Sequence, residues 1–270
     1  MKHIFPLVLT LFIFLASPSV KAAQKPVGVP TISATSHAIL EIVKNLGTEG
    51  ESKNISQALQ KFSHPQLVTA LREGLRTGGD WSTIAARAAN LLSVKDVLPD
   101  LEAAFEKNSD DWQVVVAIGA LANDQQKKSM GETWAKQLRT FSNPTKVAVI
   151  EMLGRWSQPL PEAIFDSGIA DKSLEVRRTV VTNFIITRNL FTTDQQIARF
   201  RKAFAMDPYQ VRLDAMVAFQ SLSIHDRAKL ANAVDAKFLA QCKAETFEDV
   251  KTECQKILES RSAKNLKEAK

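Results

Sequence analysis

Asp207-Pro-Tyr-Gln-Val-Arg-Leu-Asp-Ala-Met-Val-Ala-Phe-Gln-Ser-Leu222 is the stretch that decides the fold. Val211, Ala215, Ala218 and Leu222 recur at i, i+4, i+7 and i+11, the spacing of one apolar helix face. Asp207-Pro208 in front of them is an acid followed by a proline suited to the first helical turn. Immediately upstream, Ile197, Phe200 and Phe204 form a second apolar stripe, and Arg199, Arg201 and Lys202 fall elsewhere on that wheel. The local unit is therefore helix, short turn, helix.

The unit repeats outward in both directions. Start signals of the same kind stand at Asp80 before Trp81, Asp110-Asp111 before Trp112, Asn143-Pro144 before Thr145, and Asp171 before Leu174. More polar amphipathic segments lie between, near residues 97–107, 126–140, 160–168, 193–206 and 225–242. Aligning the second helices on Ala88, Gly119, Gly154, Ile185 and Gln220 gives steps of 31, 35, 31 and 35 residues. A return of that length marks a stack in which each helix pair buries its apolar face only against its neighbours. Val114-Val115-Val116 and Val180-Val181 with Ile185-Ile186 also fit buried strands by β-branched content. The sequence has no Asn-Gly or Asp-Gly hairpin turn to join such strands, and helical periods flank them.

Composition agrees with a globular chain: 270 residues, 45% hydrophobic and 24% charged, with 10 Gly and 10 Pro. Disordered, collagenous and disulfide-dense classes are excluded. Residues 1–22 read as a secretory signal peptide. Lys2 precedes an apolar run from Ile4 to Ala16, too short to span a bilayer, and Val20-Lys21-Ala22 presents small residues for cleavage after Ala22. Residues 23–36, with Pro26, Gly28 and Pro30, read as a linker or irregular N-terminal cap. Residues 37–260 form the repeat domain, and 261–270 a polar tail with Arg261, Lys264, Lys267 and Lys270. Loss of residues 1–22 lowers the net charge from +6 to +4, without the dense basic stripe of a nucleic-acid binder. The expectation is an exported chain, periplasmic or extracellular, with no membrane span after processing. Cys242 and Cys254 would then meet an oxidising compartment and are a candidate disulfide, provided a helical hairpin turns midway between them.

Asp171-Lys-Ser-Leu-Glu-Val-Arg-Arg-Thr-Val-Val181, Asp207-Pro-Tyr-Gln-Val-Arg-Leu-Asp-Ala215 and Val147-Ala-Val-Ile-Glu-Met-Leu-Gly154 resemble the second helices of HEAT repeats. The resemblance covers about Pro65 to Leu258, although the Val-Arg pair is missing around Trp112 and Val147. It implies an all-α, right-handed solenoid of about five to six antiparallel helix pairs. It also implies that arginines such as Arg177 and Arg212 pair with the turn acids Asp171 and Asp207. The repeated His-Glu pairs of iron-binding HEAT-like hydroxylases are absent, as are HExxH, GxSxG, GxGxxG and phosphate-loop motifs. No catalytic residue, metal ligand or cofactor site is assigned. His37, His64 and His225 lie far apart in sequence, and Asp110-Asp111 and Glu248-Asp249 sit where helix starts favour acids.

Function is therefore expected from surface. Trp81 and Trp112 each follow an acid at the start of a second helix, and a wide aromatic makes an effective anchor. Arg178, about 100° round the helix from Arg177, is the basic residue expected to meet a partner. The expected role is a non-catalytic scaffold or adaptor that binds another envelope or secreted protein through a concave face. The alternatives are an inhibitor or regulator of an envelope enzyme, a HEAT-like lyase, and a binder of glycans or anionic surfaces.

Overall fold

The computed structural model describes residues 31–46, 52–220 and 236–268. The signal-peptide and cleavage-site expectations, His225, and the linker up to residue 30 lie outside the described residues. Among those described, all regular structure is helical: α1 (Ala34–Leu46), α2 (Ser52–Leu59), α3 (His64–Thr77), α4 (Asp80–Leu91), α5 (Leu98–Lys107), α6 (Trp112–Leu121), α7 (Asp124–Gln137), α8 (Asn143–Arg155), α9 (Glu162–Ile169), α10 (Leu174–Thr187), α11 (Thr193–Phe204), α12 (Tyr209–Gln220), α13 (Ala236–Ala244) and α14 (Glu248–Glu268). The Val114–Val116 and Val180–Ile186 runs, which also fitted strands, lie inside α6 and α10.

The starts follow the local chemistry, with shifts of a residue or two. Asp111 caps α6, its carboxylate accepting the N–H groups of Gln113 and Val114. Its neighbour Asp110 instead accepts the Ser142 N–H at 2.8 Å, joining two turns. The α10 cap is Ser173 rather than Asp171, which accepts the Ser173 N–H at 2.9 Å and so shapes the turn before the cap. The Asp207–Pro208 bond is cis, and α12 opens after it, at Tyr209. Two second helices end alike. After α4, Val94 N–H bonds Ala89 O with Ser93 at φ 54°, and after α8, Gln158 N–H bonds Leu153 O with Ser157 at φ 54°. Both are six-to-one closures with a left-handed residue where glycine is usual.

The even-numbered helices α4, α6, α8, α10 and α12 pack side by side in a continuous row, which α14 extends. The preceding helices pack against it, α3 on α4, α5 on α6, α9 on α10 and α11 on α12, and α1 lies against both α3 and α4. Between the layers runs one apolar core, with Ile118, Ile150, Phe165, Phe184 and Phe204 among its fully buried side chains. Row helices approach closely at Gly119, where an added Cβ would lie 2.3 Å from Met152 Sδ.

Arg199 is the largest departure from the sequence reading. The wheel puts it outside the apolar stripe, yet it is only 7% exposed. Its guanidinium lies 4.6 Å from the Phe165 ring centroid and 4.2 Å from that of Phe191, and it donates to Leu160 O at 2.9 Å. Burial pushes its pKa below the ordinary value, opposed by the nearby Glu162 and Asp166. The Phe184 ring lies 6.0 Å away as well, and rings from three segments house a guanidinium as one helix wheel alone would not indicate.

At the C-terminal end Cys242 of α13 and Cys254 of α14 are disulfide-bonded across the turn at residues 245–247, with Cα atoms 5.4 Å apart. The helix that follows runs on through Glu268.

Candidate interaction surface on the second-helix row

In the structure, the register of Gly119, Gly154 and Ile185 picks out equivalent side chains on the outer edge of the row. In α6 it selects Trp112, Val116 and Ala120; in α8, Val147, Glu151 and Arg155; in α10, Arg178, Thr182 and Ile186. All nine are exposed or half-buried, with Trp112 at 45% and Ile186 at 52%. Each trio is spaced i, i+4, i+8, so it forms one ridge per helix. In α12 the series continues through Leu213 and Val217, the latter 53% exposed.

Trp81 does not join this series. The same step from α6 back to α4 reaches Trp81, Ala85 and Ala89, and both alanines are fully buried. Ala85 sits against Gly74 of α3, while Trp81 is half-buried beside His37, at 5.1 Å between ring centroids, with Lys44 Nζ 5.6 Å above it. It closes the junction between α1 and α4. The other two tryptophans pack on each other, the buried Trp134 stacking on the half-buried Trp156 at 5.2 Å and Trp156 donating to Gly119 O at 3.1 Å.

Two hollows connect along α10. One, about 470 Å³, is lined by Leu174, Glu175, Arg178, Thr179, Thr182 and Asp214. The other, about 220 Å³, lies between α8 and α10 and includes Glu151, Arg155 and Ile186; Thr179 and Thr182 belong to both. Both threonine hydroxyls donate to their own helix, to Glu175 O and Arg178 O, which leaves their lone pairs to face the hollow as acceptors.

Arg178 is exposed but engaged. Its Nε and Nη2 meet the Asp214 carboxylate at 2.6 and 3.1 Å, a two-point bond from α10 to α12. The hydrogen bond and charge of Asp214 hold the guanidinium above its ordinary pKa. Arg155, on the adjacent ridge, has no ion-pair partner among the described residues and is a cation that the sequence reading overlooked. Asn183 was overlooked too. It is 2% exposed, donates to Ile150 O at 3.1 Å and leaves its own carbonyl oxygen buried without a partner, within a Val-Ile-Phe run that marked it only as core.

The turn ion pairs only partly follow the expected pattern. Arg212 bonds Asp207, but also Glu245 at 2.8 Å and Met206 O at 3.0 Å. Arg177 donates to the carbonyl oxygens of Asp207 and Lys172. Asp171 is taken by Lys146 of α8, at 2.8 Å. Burial pushes the Asp171 carboxyl up, yet Lys146 and the Ser173 N–H outweigh it and leave the group below its ordinary value.

No family model, curated protein or solved structure matches the chain. Among the described residues no three His, Cys, Asp or Glu side chains are grouped to hold a metal ion, and no helix is long and apolar enough to cross a membrane.

Proposed function

We propose that the protein is an exported, non-catalytic scaffold that binds another envelope protein along the second-helix row of a right-handed, HEAT-like solenoid of about five to six helix pairs. The observation that carries the reading is the shared hollow along α10, flanked by exposed apolar side chains on α6, α10 and α12. Such a surface supplies what a protein partner needs: an aromatic anchor at Trp112, aliphatic ground at Ile186 and Val217, and a cation at Arg155 to orient the approach. The repeat-like packing of neighbouring helices supports the solenoid, and the Cys242–Cys254 bond supports an oxidising compartment.

Export proceeds through residues 1–22, with cleavage after Ala22. Arg178 acts on this surface through its bond to Asp214, holding α10 and α12 in register beneath the partner, rather than as a free cation.

The test is crosslinking of the mature chain in its native envelope, followed by affinity measurement with the captured partner. Trp112→Ala and Thr182→Arg should each weaken that affinity at least about tenfold, equivalent to ~1.4 kcal/mol. Unchanged affinity in both variants would remove the second-helix row from the function.

A further inference from the structure

The first-helix layer contains one segment twice. Pro99-Asp-Leu-Glu-Ala-Ala-Phe-Glu106 and Pro159-Leu-Pro-Glu-Ala-Ile-Phe-Asp166 stand 60 residues apart, with proline, glutamate, alanine, phenylalanine and a closing acid in the same places. The second copy, on α9, is occupied by side chains of the protein itself. Lys202 Nζ of α11 meets Glu162 at 2.8 Å and Asp166 at 2.9 Å, and Arg199 of the same helix lies over Phe165. Two carboxylates one helical turn apart thus receive the lysine, and the aromatic ring between them receives the arginine three residues before it, which donates to Leu160 O.

The first copy, on α5, faces α7. Helices α7 and α11 begin alike: Asn123 and Thr192 are their caps, each in a reciprocal bond with a glutamine three residues on, Gln126 and Gln195. Counted from those caps, Arg199 corresponds to Met130 and Lys202 to Thr133. The chain therefore supplies no cation there. Among the described residues neither Glu102 nor Glu106 has an ion-pair or hydrogen-bond partner. Instead a groove of about 710 Å³ opens between α5 and α7, with Glu102, Phe105, Glu106, Met130, Thr133 and Trp134 in its lining. Among the described residues the two glutamates are the only charged ones lining it, in a chain whose net charge is positive.

We propose that this groove docks a segment of another protein that presents an arginine and a lysine three residues apart on an apolar face. The cations take the places that Arg199 and Lys202 fill at α9, and apolar neighbours cover the half-buried Met130 above the buried rings of Phe105 and Trp134. The groove lies in the first-helix layer, so its occupancy is independent of the second-helix row and can be tested separately.

The probe is a fluorescein-labelled synthetic peptide with the sequence of residues 192–205 of this chain, which carries the required pair in a helix-forming context. It is titrated into the full chain and read by fluorescence anisotropy. Saturable binding is expected, weakened about tenfold by Glu102→Gln with Glu106→Gln, and weakened as much when the peptide's arginine and lysine at positions 199 and 202 are replaced by glutamine. Thr133→Lys should block the peptide, because it returns the missing cation from inside. Both substitutions fall on the surface, and thermal melts of the two variants establish that they fold. Absence of saturable binding, or binding indifferent to the glutamates, would overturn the proposal. So would a wild-type dimer in sedimentation that Glu102→Gln with Glu106→Gln dissociates, since a second copy would then own the groove.

Discussion

The second helices touch one another through small residues, and the first helices reach one another through long ones. In the row, Gly119 leaves no room for a Cβ against Met152, and Ala86, Ala88, Ala89 and Ala117 are fully buried. In the opposite layer the spaces are crossed by side chains: Lys202 to Glu162 and Asp166, Arg199 over Phe165, and Gln158 to Lys127 O at 2.9 Å. Close-packed atoms lose contacts steeply when displaced, whereas long charged side chains re-aim at small cost. The row should therefore set stability, and the other layer should tolerate change.

The sharpest way to break that contrast is Phe184→Ala. Phe184 is 1% exposed and meets the rings of Phe165, Phe191 and Phe200, so it joins the row to the opposite layer. A loss of ~3–5 kcal/mol is expected in urea unfolding at equilibrium. A loss below ~1 kcal/mol would mean that the layers are not coupled through this cluster.

The next largest effect belongs to the C-terminal end. Arg212 and Glu245 have side chains 14% and 6% exposed, and removing the acid leaves a mostly buried guanidinium with the exposed Asp207 as its remaining counter-charge. Glu245→Gln should cost ~3 kcal/mol. Burial pushes the Glu245 carboxyl up, but Arg212 and the N–H groups of Phe247 and Thr246 win and hold it below its ordinary 4.5. A lowered folded-state value means that this contribution is fully present above pH 4.5 and is lost as pH falls through the folded value. Asp171, also lowered, acts in the same direction from its ordinary 3.8. Acid titration followed by hydrogen exchange should show α13 and α14 loosening first, and Glu245→Gln should flatten that acid limb.

Gly119→Ala probes the row itself. The nearest atoms in the way belong to the flexible Met152 side chain, so a cost of ~1–3 kcal/mol is expected, and Met152→Ala in the same chain should recover part of it. Lys202→Gln is the smallest change. Its partner Glu162 is exposed and Asp166 half-buried, and a loss of ~0.2–1 kcal/mol that shrinks in high salt is expected by thermal melting.

Most of the helical architecture was legible because its information is local. Apolar spacing located the row helices, and the acid before Trp112 is indeed the α6 cap. What escaped depends on residues distant in sequence. Arg199 looks solvated until Phe165, Phe184 and Phe191 close round it, and Trp81 resembles Trp112 until α1 covers it. Arg178 read as a free cation because Asp214, its partner, is 36 residues away. Asn183 gave no signal beyond its polarity in an apolar run.

The two serines that close α4 and α8 have a practical meaning. Ser93 and Ser157 both hold φ at 54°, a region where an L side chain costs ~1 kcal/mol that glycine does not. Neither helix end requires a side chain in its closing backbone bonds. Ser93→Gly and Ser157→Gly are thus candidates for engineering a hardier version of the chain, with each gain reduced by the extra freedom glycine confers on the unfolded state.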